Sequence, residues 1–273
     1  MRAALDKNLL IRVYNRISAR YDLQHAFITA GADGRGRRLV VKHAVHKNDS
    51  VLDAGAGSTA LLAAQEAGTN GRVTLLDMNE PLAKLMSGNP TSAHFRSGIS
   101  VHGTTMHLIP PRKWTQSGIA AHPPRVLQVA LNETMLSEAK KKAEKASLSD
   151  RLTFKTGDLE HLPFEDHTFD AVLSTYSLCP LFDPEKGALE LYRVTRPGGR
   201  IGIAHSVEPE GRMLKWLADK VENIAWRIPS LSMGCRAVST LPALKEAGAC
   251  VLFERRLGIP LWPFIVFVLK KPC

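Results

Sequence analysis

Asp49-Ser-Val-Leu-Asp53-Ala-Gly55-Ala-Gly57-Ser-Thr59 is the stretch that decides the fold. A short β-branched and apolar run enters a turn with glycine at alternate positions. The chain leaves that turn as Leu61-Leu-Ala-Ala-Gln-Glu-Ala-Gly68, a helical stretch with a glycine stop. Gly55 and Gly57 let the backbone pass close to a ligand without a Cβ in the way, and the helix start offers free N–H donors. Gly71-Arg-Val-Thr-Leu-Leu-Asp77 follows as a second apolar strand ending on an acid. Strand, turn, helix and strand make a βαβ unit. Asp77 stands about twenty residues past the turn, where a carboxylate accepts hydrogen bonds from both hydroxyls of a ribose. Its plainer reading is an ordinary strand-end or capping acid.

The same alternation extends outward. Residues 5–30 place Leu9, Leu10, Val13, Ile17, Leu23 and Phe27 at helical spacing, and Arg35–Ala44 reads as a further amphipathic helix, so 1–45 form a helical prelude. Thr134–Ser147 predicts a charged helix, Arg151–Lys155 a strand and Phe169–Ser174 an interior strand. Glu185–Thr195 predicts a helix stopped by Pro197-Gly-Gly, then a strand over Arg200–His205. Helices over Gly211–Trp226 and Leu241–Gly248 precede terminal strands Cys250–Leu257 and Phe264–Leu269. Strands alternating with helices imply an α/β fold, a mostly parallel sheet with helices on both faces.

Composition narrows the class. The 273 residues are 44% hydrophobic and 23% charged, enough to bury a core and too short for two ordinary domains. Cys179, Cys235, Cys250 and Cys273 are scattered without metal-ligand spacing, which favours a reducing compartment and no metal site. The formal charge of +10 suits nucleic acid, anionic lipid or an acidic substrate. No aromatics interleave with the basic residues, so nucleic acid is not the expected partner and clusters such as Arg35–Arg38 read as solvated. The N-terminus has no long apolar core of a secretory signal, and the apolar run Ile259–Leu269 is too short to span a bilayer. A soluble, cytoplasmic protein is expected, with mitochondrial or membrane-peripheral placement as the alternatives.

One stretch breaks the pattern. Between Pro81 and Leu131 there is no Asp or Glu, while prolines and histidines occur without periodicity. A structureless loop of that length inside one domain reads as an insertion. Arg72-Val-Thr-Leu-Leu-Asp-Met-Asn-Glu80 is echoed by Arg125-Val-Leu-Gln-Val-Ala-Leu-Asn-Glu133, and joining Asn79 to Glu133 restores an unbroken strand, turn and helix. The expectation is a single domain over 1–273 with an insert at 81–131, of the kind alternative splicing or an unspliced intron leaves. A genuine lid is the plainer alternative.

The pieces NRISARYDLQHAFITAG (15–31), VLDAGAGS (51–58), GRVTLLDMNE (71–80) resuming as TMLSEAKKKA (134–143), GDLEHLPFEDHTFDAVLS (157–174) and ELYRVTRPGGRIGI (190–203) stand in the order of a known family. The chain resembles the UbiE/Coq-type ubiquinone and menaquinone C-methyltransferases and their wider class I relatives. The resemblance implies a Rossmann-like class I methyltransferase fold, with a mostly parallel seven-stranded sheet, and S-adenosyl-L-methionine as methyl donor. It implies that Gly55 and Gly57 approach the methionine part, with Asp53 under the turn. Asp77 would bind ribose with Met78 against adenine, Asp158 and Leu159 would flank the base, and Ser174 and Thr175 would face the donor crevice. Tyr21 and Asp22 match the family's active-site cover. Two departures stand out: Thr59 replaces the third glycine of the usual turn, and Tyr176-Ser-Leu-Cys-Pro180 replaces a Gly-Leu-Arg-Asn-like stretch. The second resembles the phospholipid N-methyltransferases and thiol methyltransferases, and points away from quinones.

A sulfonium donor already activates its methyl group, so such an enzyme chiefly aligns an acceptor and excludes water. Where the acceptor must lose a proton, His205 at a strand end is the candidate base, with Tyr21 the other catalytic candidate. A strand-end histidine is more often structural, and Cys179 lacks an evident base and reads as packing. The expected partner is a small or lipid-like methyl acceptor, with peripheral membrane contact as an option. Two rivals remain: a methyltransferase-fold protein impaired by its insert, and a nicotinamide-dependent oxidoreductase, since both share the glycine turn and strand-end acid.

Overall fold

The computed structural model describes residues 4–55, 58–77, 100–101, 104–105 and 135–273. Helices α1 (Lys7–Ile17), α2 (Tyr21–Ile28) and α3 (Ala32–Ala44) come first, followed by β1 (Ser50–Ala54), α4 (Ser58–Ala67) and β2 (Arg72–Asp77). Then come α5 (Met135–Lys145), β3 (Leu152–Thr156), β4 (Phe169–Thr175), α6 (Pro184–Val194) and β5 (Thr195–Ser206). Helices α7 (Arg212–Trp226), α8 (Pro229–Ser232) and α9 (Leu241–Glu246) lead to β6 (Cys250–Ile259) and β7 (Trp262–Lys270).

Each boundary has a local cause. The Asp6 carboxylate accepts the Leu9 N–H at 3.0 Å to start α1, and Asp183 accepts the Lys186 N–H at 2.9 Å ahead of Pro184 to start α6. Gly68, at φ +74°, ends α4 in the left-handed region, as expected of a glycine stop. At Arg196–Gly199 the expected break is instead the start of a longer strand. Helix α6 ends at Val194, Thr195 already pairs with Phe169, and the register slips before Ala171 meets Arg200. The Pro-Gly-Gly run is a bulge inside β5, pinned by the Gly198 N–H on Lys271 O at 2.9 Å.

The seven strands run in the order β3-β2-β1-β4-β5-β7-β6. The four contacts among β3, β2, β1, β4 and β5 are parallel; β7 is antiparallel to both β5 and β6. The sheet is therefore mixed yet mostly parallel, as expected, with β7 alone running against the other six strands. The cause is the short β6–β7 connection, a hairpin that leaves no room for a helical crossover.

Alternate residues of the strands feed two apolar layers. Val51, Val73, Leu75, Leu173, Val266 and Val268 face α3, α4 and α5, while Leu52, Leu76, Val172, Ile203, Phe267 and Leu269 face α6 and α9. Helices thus cover both faces, and the strands' carboxyl ends stay at the top of the sheet for a site. No helix among the described residues is long and apolar enough to cross a membrane.

By contacts the chain divides into Met1–Glu80 with Asn132–Cys273, and Pro81–Leu131 as a second unit. Within the second, Ser100–Val101 pairs antiparallel with Thr104–Thr105. The remainder of the expected insert lies outside the described residues.

Candidate functional site

The glycine turn sits where the βαβ reading put it, at the carboxyl end of β1. Gly55 has φ +119°, and its N–H donates to Leu76 O at 2.8 Å. A Cβ there would stand 2.2 Å from Ser177 Cβ, so the close approach that demands glycine is to the loop after β4. Ser177 Oγ in turn donates to Ala54 O at 2.7 Å and pairs with Ser174 Oγ at 2.7 Å. The non-family stretch starting at Tyr176 is thereby locked onto the turn. Gly57 and Met78 lie outside the described residues.

Asp53 is fully buried, and neither carboxylate oxygen meets a donor in full hydrogen-bond geometry among the described residues. Burial pushes its pKa up to about 7, with Asp77 adding to the rise, against the Arg37 guanidinium and a loosely placed Ala60 N–H. Arg37, from α3, is also buried. It donates to Thr59 Oγ1 at 3.2 Å and to Thr175 Oγ1 at 3.5 Å, leaving Nη2 without a partner. Thr59 and Thr175 hydroxyls meet at 2.7 Å, so the residue in place of the third glycine fastens the start of α4 to the end of β4. The Arg37 guanidinium lies 5.5 Å over the Tyr176 ring, and the Tyr176 hydroxyl is buried without a partner. Tyr176 holds φ +62°, a strained conformation for a residue with a side chain.

Six buried side-chain polar atoms lack partners among the described residues, and four belong to Arg37, Asp53 and Tyr176. Native interiors satisfy nearly all such atoms, so their concentration near the ends of β1 and β4 makes this the candidate polar site. Sequence reading missed Arg37, Tyr176 and Ser177. Arg37 was hidden in a basic cluster that looked solvated, although Val40, Val41 and Ala44, on the same buried face of α3, carry the signal.

The helical prelude covers this crevice. Tyr21 is buried, stacked on His25 with ring centres 5.3 Å apart, and Asp22 accepts Ser58 Oγ at 2.6 Å and Lys142 Nζ at 2.7 Å. Partial burial works to raise the Asp22 pKa, but the Lys142 and Ser58 hydrogen bonds overcome it, so the carboxyl is held below its ordinary value. Asp22 joins α2 to the start of α4 and the last turn of α5. His25 Nδ1 lies 3.0 Å from Asp33 Oδ2. Burial holds His25 below its ordinary pKa, so a neutral ring donates Nδ1–H to the carboxylate.

The remaining expected residues are dispersed. Asp77 closes β2 beside β1, with its carbonyl accepting the Gly157 N–H at 3.0 Å. Asp158 follows β3, where Oδ1 accepts the Glu160 N–H at 3.0 Å, so its capping role is real. Leu159 sits in the core layer under α6, leaving its backbone as the only part able to meet a base. Ser174 and Thr175 lie at the end of β4, both buried and both engaged as described. His205 is not placed for base chemistry: Nδ1 meets Ser206 O at 3.0 Å and Nε2 meets Thr240 Oγ1 at 3.1 Å. Burial lowers its pKa to about 4, so the ring is neutral and held by both hydrogen bonds. Cys179 is buried, accepting the Ser206 N–H at 3.3 Å.

The motif LPFEDHTFD proves to be a stitch rather than a site. Arg193 of α6 donates to Leu162 O at 3.0 Å, Phe164 O at 2.9 Å and Asp166 Oδ1 at 2.7 Å while paired with Glu190. Asp170 Oδ2 accepts the Ser50 N–H at 2.9 Å at the start of β1. An open cleft of about 760 Å³ lies past the end of β5, walled by His205, Val238, Leu241, Ile265 and Phe267 with Lys215 from α7.

Parts of the chain are similar to known proteins. Residues 113–203 match the family model of a methyltransferase domain, a match that begins within the second unit and omits the glycine turn. The "Ubiquinone/menaquinone biosynthesis C-methyltransferase UbiE" of Roseobacter denitrificans is 42% identical over 73 residues, 27% of this chain and 29% of that protein. The demethylmenaquinone methyltransferase of Lactiplantibacillus plantarum is 31% identical over 110 residues, 39% of this chain and 46% of that protein. The matches thus span less than half the length of these relatives. Among solved structures, the [4+2]-cyclase SpnF superposes with TM-score 0.56 at 17% identity, covering 89% of this chain and 82% of that one. The geranyl diphosphate C-methyltransferase of Streptomyces coelicolor gives 0.55 at 12%, covering 87% and 79%. These likenesses establish the Rossmann-like fold and no more, since one of the two is a cyclase by name.

Proposed function

We propose that this chain, a UbiE-like class I S-adenosylmethionine-dependent methyltransferase by sequence match and fold, transfers a methyl group to a small, lipid-like acceptor. The observation that carries the reading is the cluster of unpartnered buried groups on Asp53, Arg37 and Tyr176 at the end of β1 and β4. A zwitterionic amino-acid tail fits it, with its ammonium on Asp53 and its carboxylate within reach of a guanidinium. Asp77 is the residue for the ribose and Asp158 the one for the adenine edge. The donor supplies an electrophilic methyl, and everything else falls to the chain's own residues.

Those residues bind, orient and exclude water. Tyr21 and the Asp22 tie close the prelude over the crevice, and Tyr176 fills the space between α3 and β4. A lipid-like acceptor is supported by the names of the curated relatives and by the apolar wall of the cleft past β5. The test is to incubate the chain with radiolabelled methyl donor and a cell extract, then partition the extract. Label in the organic phase, absent with Asp53→Asn, supports the reading. Label in neither phase, from a chain that binds S-adenosylhomocysteine, removes the lipid-like acceptor.

A further inference from the structure

Helix α7 turns an apolar stripe outward. Met213, Trp216, Leu217 and Ile224 fall at helical spacing on one face, and that face is turned to solvent: Met213 is 79% exposed, Ile224 65% and Trp216 61%. The opposite face, with Lys215, Ala218, Asp219 and Glu222, lines a cleft beside the end of β5. An amphipathic surface helix ordinarily buries its apolar side. Here the inner side packs only through Ala218, with Lys215 half-exposed beside it, and the apolar side is uncovered among the described residues.

The exposed stripe continues beyond α7. Ile228 and Leu231 extend it through α8, and Gln24 Nε2 donates to Ser230 O at 2.6 Å, which fastens α2 alongside. Leu23 and Phe27, on α2, are 75% and 87% exposed, adding apolar side chains from a second segment. Exposed apolar side chains in such number mark an interaction surface.

Charge identifies the cover. Arg212 at the start of α7 and Arg227 just past its end flank the stripe, Lys220 rises within it between Trp216 and Ile224, and exposed Arg12, Arg16 and Arg20 lie on and just after α1, which Tyr14 joins to Met233 O at 3.1 Å. Lys220 Nζ stands 5.7 Å over the Trp216 ring, an apolar stem along the stripe with its charge at the rim. A second copy would oppose the same basic rim, on a chain of formal charge +10. Apolar side chains inside a basic border, with a tryptophan at the boundary, fit an anionic lipid surface.

We infer that α7, α8 and α2 form a docking face for an anionic phospholipid bilayer, with α7 lying in the interface plane. Docking stands independently of methyl transfer. Its consequence, that the cleft behind α7 opens beside the bilayer for a lipid-like acceptor, rests on the function proposed above.

Flotation of the full chain with phosphatidylcholine vesicles, with and without phosphatidylserine, is the test. Binding to the phosphatidylserine vesicles, weakened by added salt and reduced about tenfold or more by Trp216→Ser with Ile224→Ser, is expected. S-adenosylhomocysteine affinity is read in the same variant and stays unchanged, because these side chains face away from the donor crevice. No binding to anionic vesicles overturns the inference, as does equal binding by the variant. A dimer in sedimentation velocity that the double substitution abolishes also overturns it, by assigning the face to a second copy.

Discussion

Asp53 carries the most consequential chemistry in the chain, because an unpartnered buried carboxylate is costly unless something completes it. With its pKa raised to about 7 by burial, the folded chain holds this proton more tightly than the unfolded one. The stability it contributes is whole below about pH 4 and is lost as pH rises through about 7. Asp53→Asn is therefore expected to flatten that part of the stability–pH curve, read by denaturant midpoints from pH 5 to 8. A cationic ammonium on the carboxylate reverses the shift. Donor binding below pH 7 is expected to release a proton, seen by calorimetry in buffers of different ionisation enthalpy, and the Asp53→Asn substitution is expected to cost about tenfold or more in affinity. Gly55→Ala collides with Ser177 at a φ of +119°, and is expected to destabilise by about 2–4 kcal/mol in urea unfolding. Tyr176→Phe removes a buried unpartnered hydroxyl, and is expected to stabilise by about 1 kcal/mol while weakening donor or acceptor binding. A Tyr176→Phe chain less stable than the parent contradicts the assignment of that hydroxyl to a ligand.

At the scale of elements, the Arg193 stitch separates stability from function. It holds the 162–166 loop to α6 through backbone carbonyls, so Arg193→Ala is expected to cost about 2–4 kcal/mol while leaving S-adenosylhomocysteine affinity unchanged. Loss of affinity in a variant that remains folded would place the loop in the site. The alternation of apolar strands with glycine- or aspartate-bounded helices was legible in the sequence, because each signal is local: Gly68, Asp183 with Pro184, and the period-two runs of β1 and β2. The reversed β7 was not legible, because strand direction depends on which neighbour is met, and only the tight turn near Gly258 hints at a hairpin. Among candidate site residues, Asp53 and the Asp22 cover were legible from motif and position. Arg37 was not, since burial of a basic side chain is a property of the α3–β4 contact. The His205 partners were not legible either, since a strand-end position says nothing of Thr240 opposite.

For the whole molecule, the question is whether the Pro81–Leu131 unit is compatible with the crevice, since it begins only a few residues past Asp77. We propose that it is an insertion into one methyltransferase domain. Deleting 81–131, which reunites Glu80 with Asn132, is expected to preserve the unfolding cooperativity of the remainder and leave donor affinity equal or higher. Cleavage by a nonspecific protease is expected to fall first between 85 and 125, whereas protection of that stretch contradicts an insertion. The central claim is that a nucleoside with an amino-acid tail is gripped between Asp77 and Asp53, and calorimetric titration of the chain with S-adenosylhomocysteine tests it most directly. Saturable one-site binding to the folded chain, or to the chain lacking 81–131, with loss in both Asp77→Asn and Asp53→Asn, is the expected result. A cooperatively folded protein that takes up no S-adenosylhomocysteine in either form, or binds it equally well in those variants, contradicts the claim.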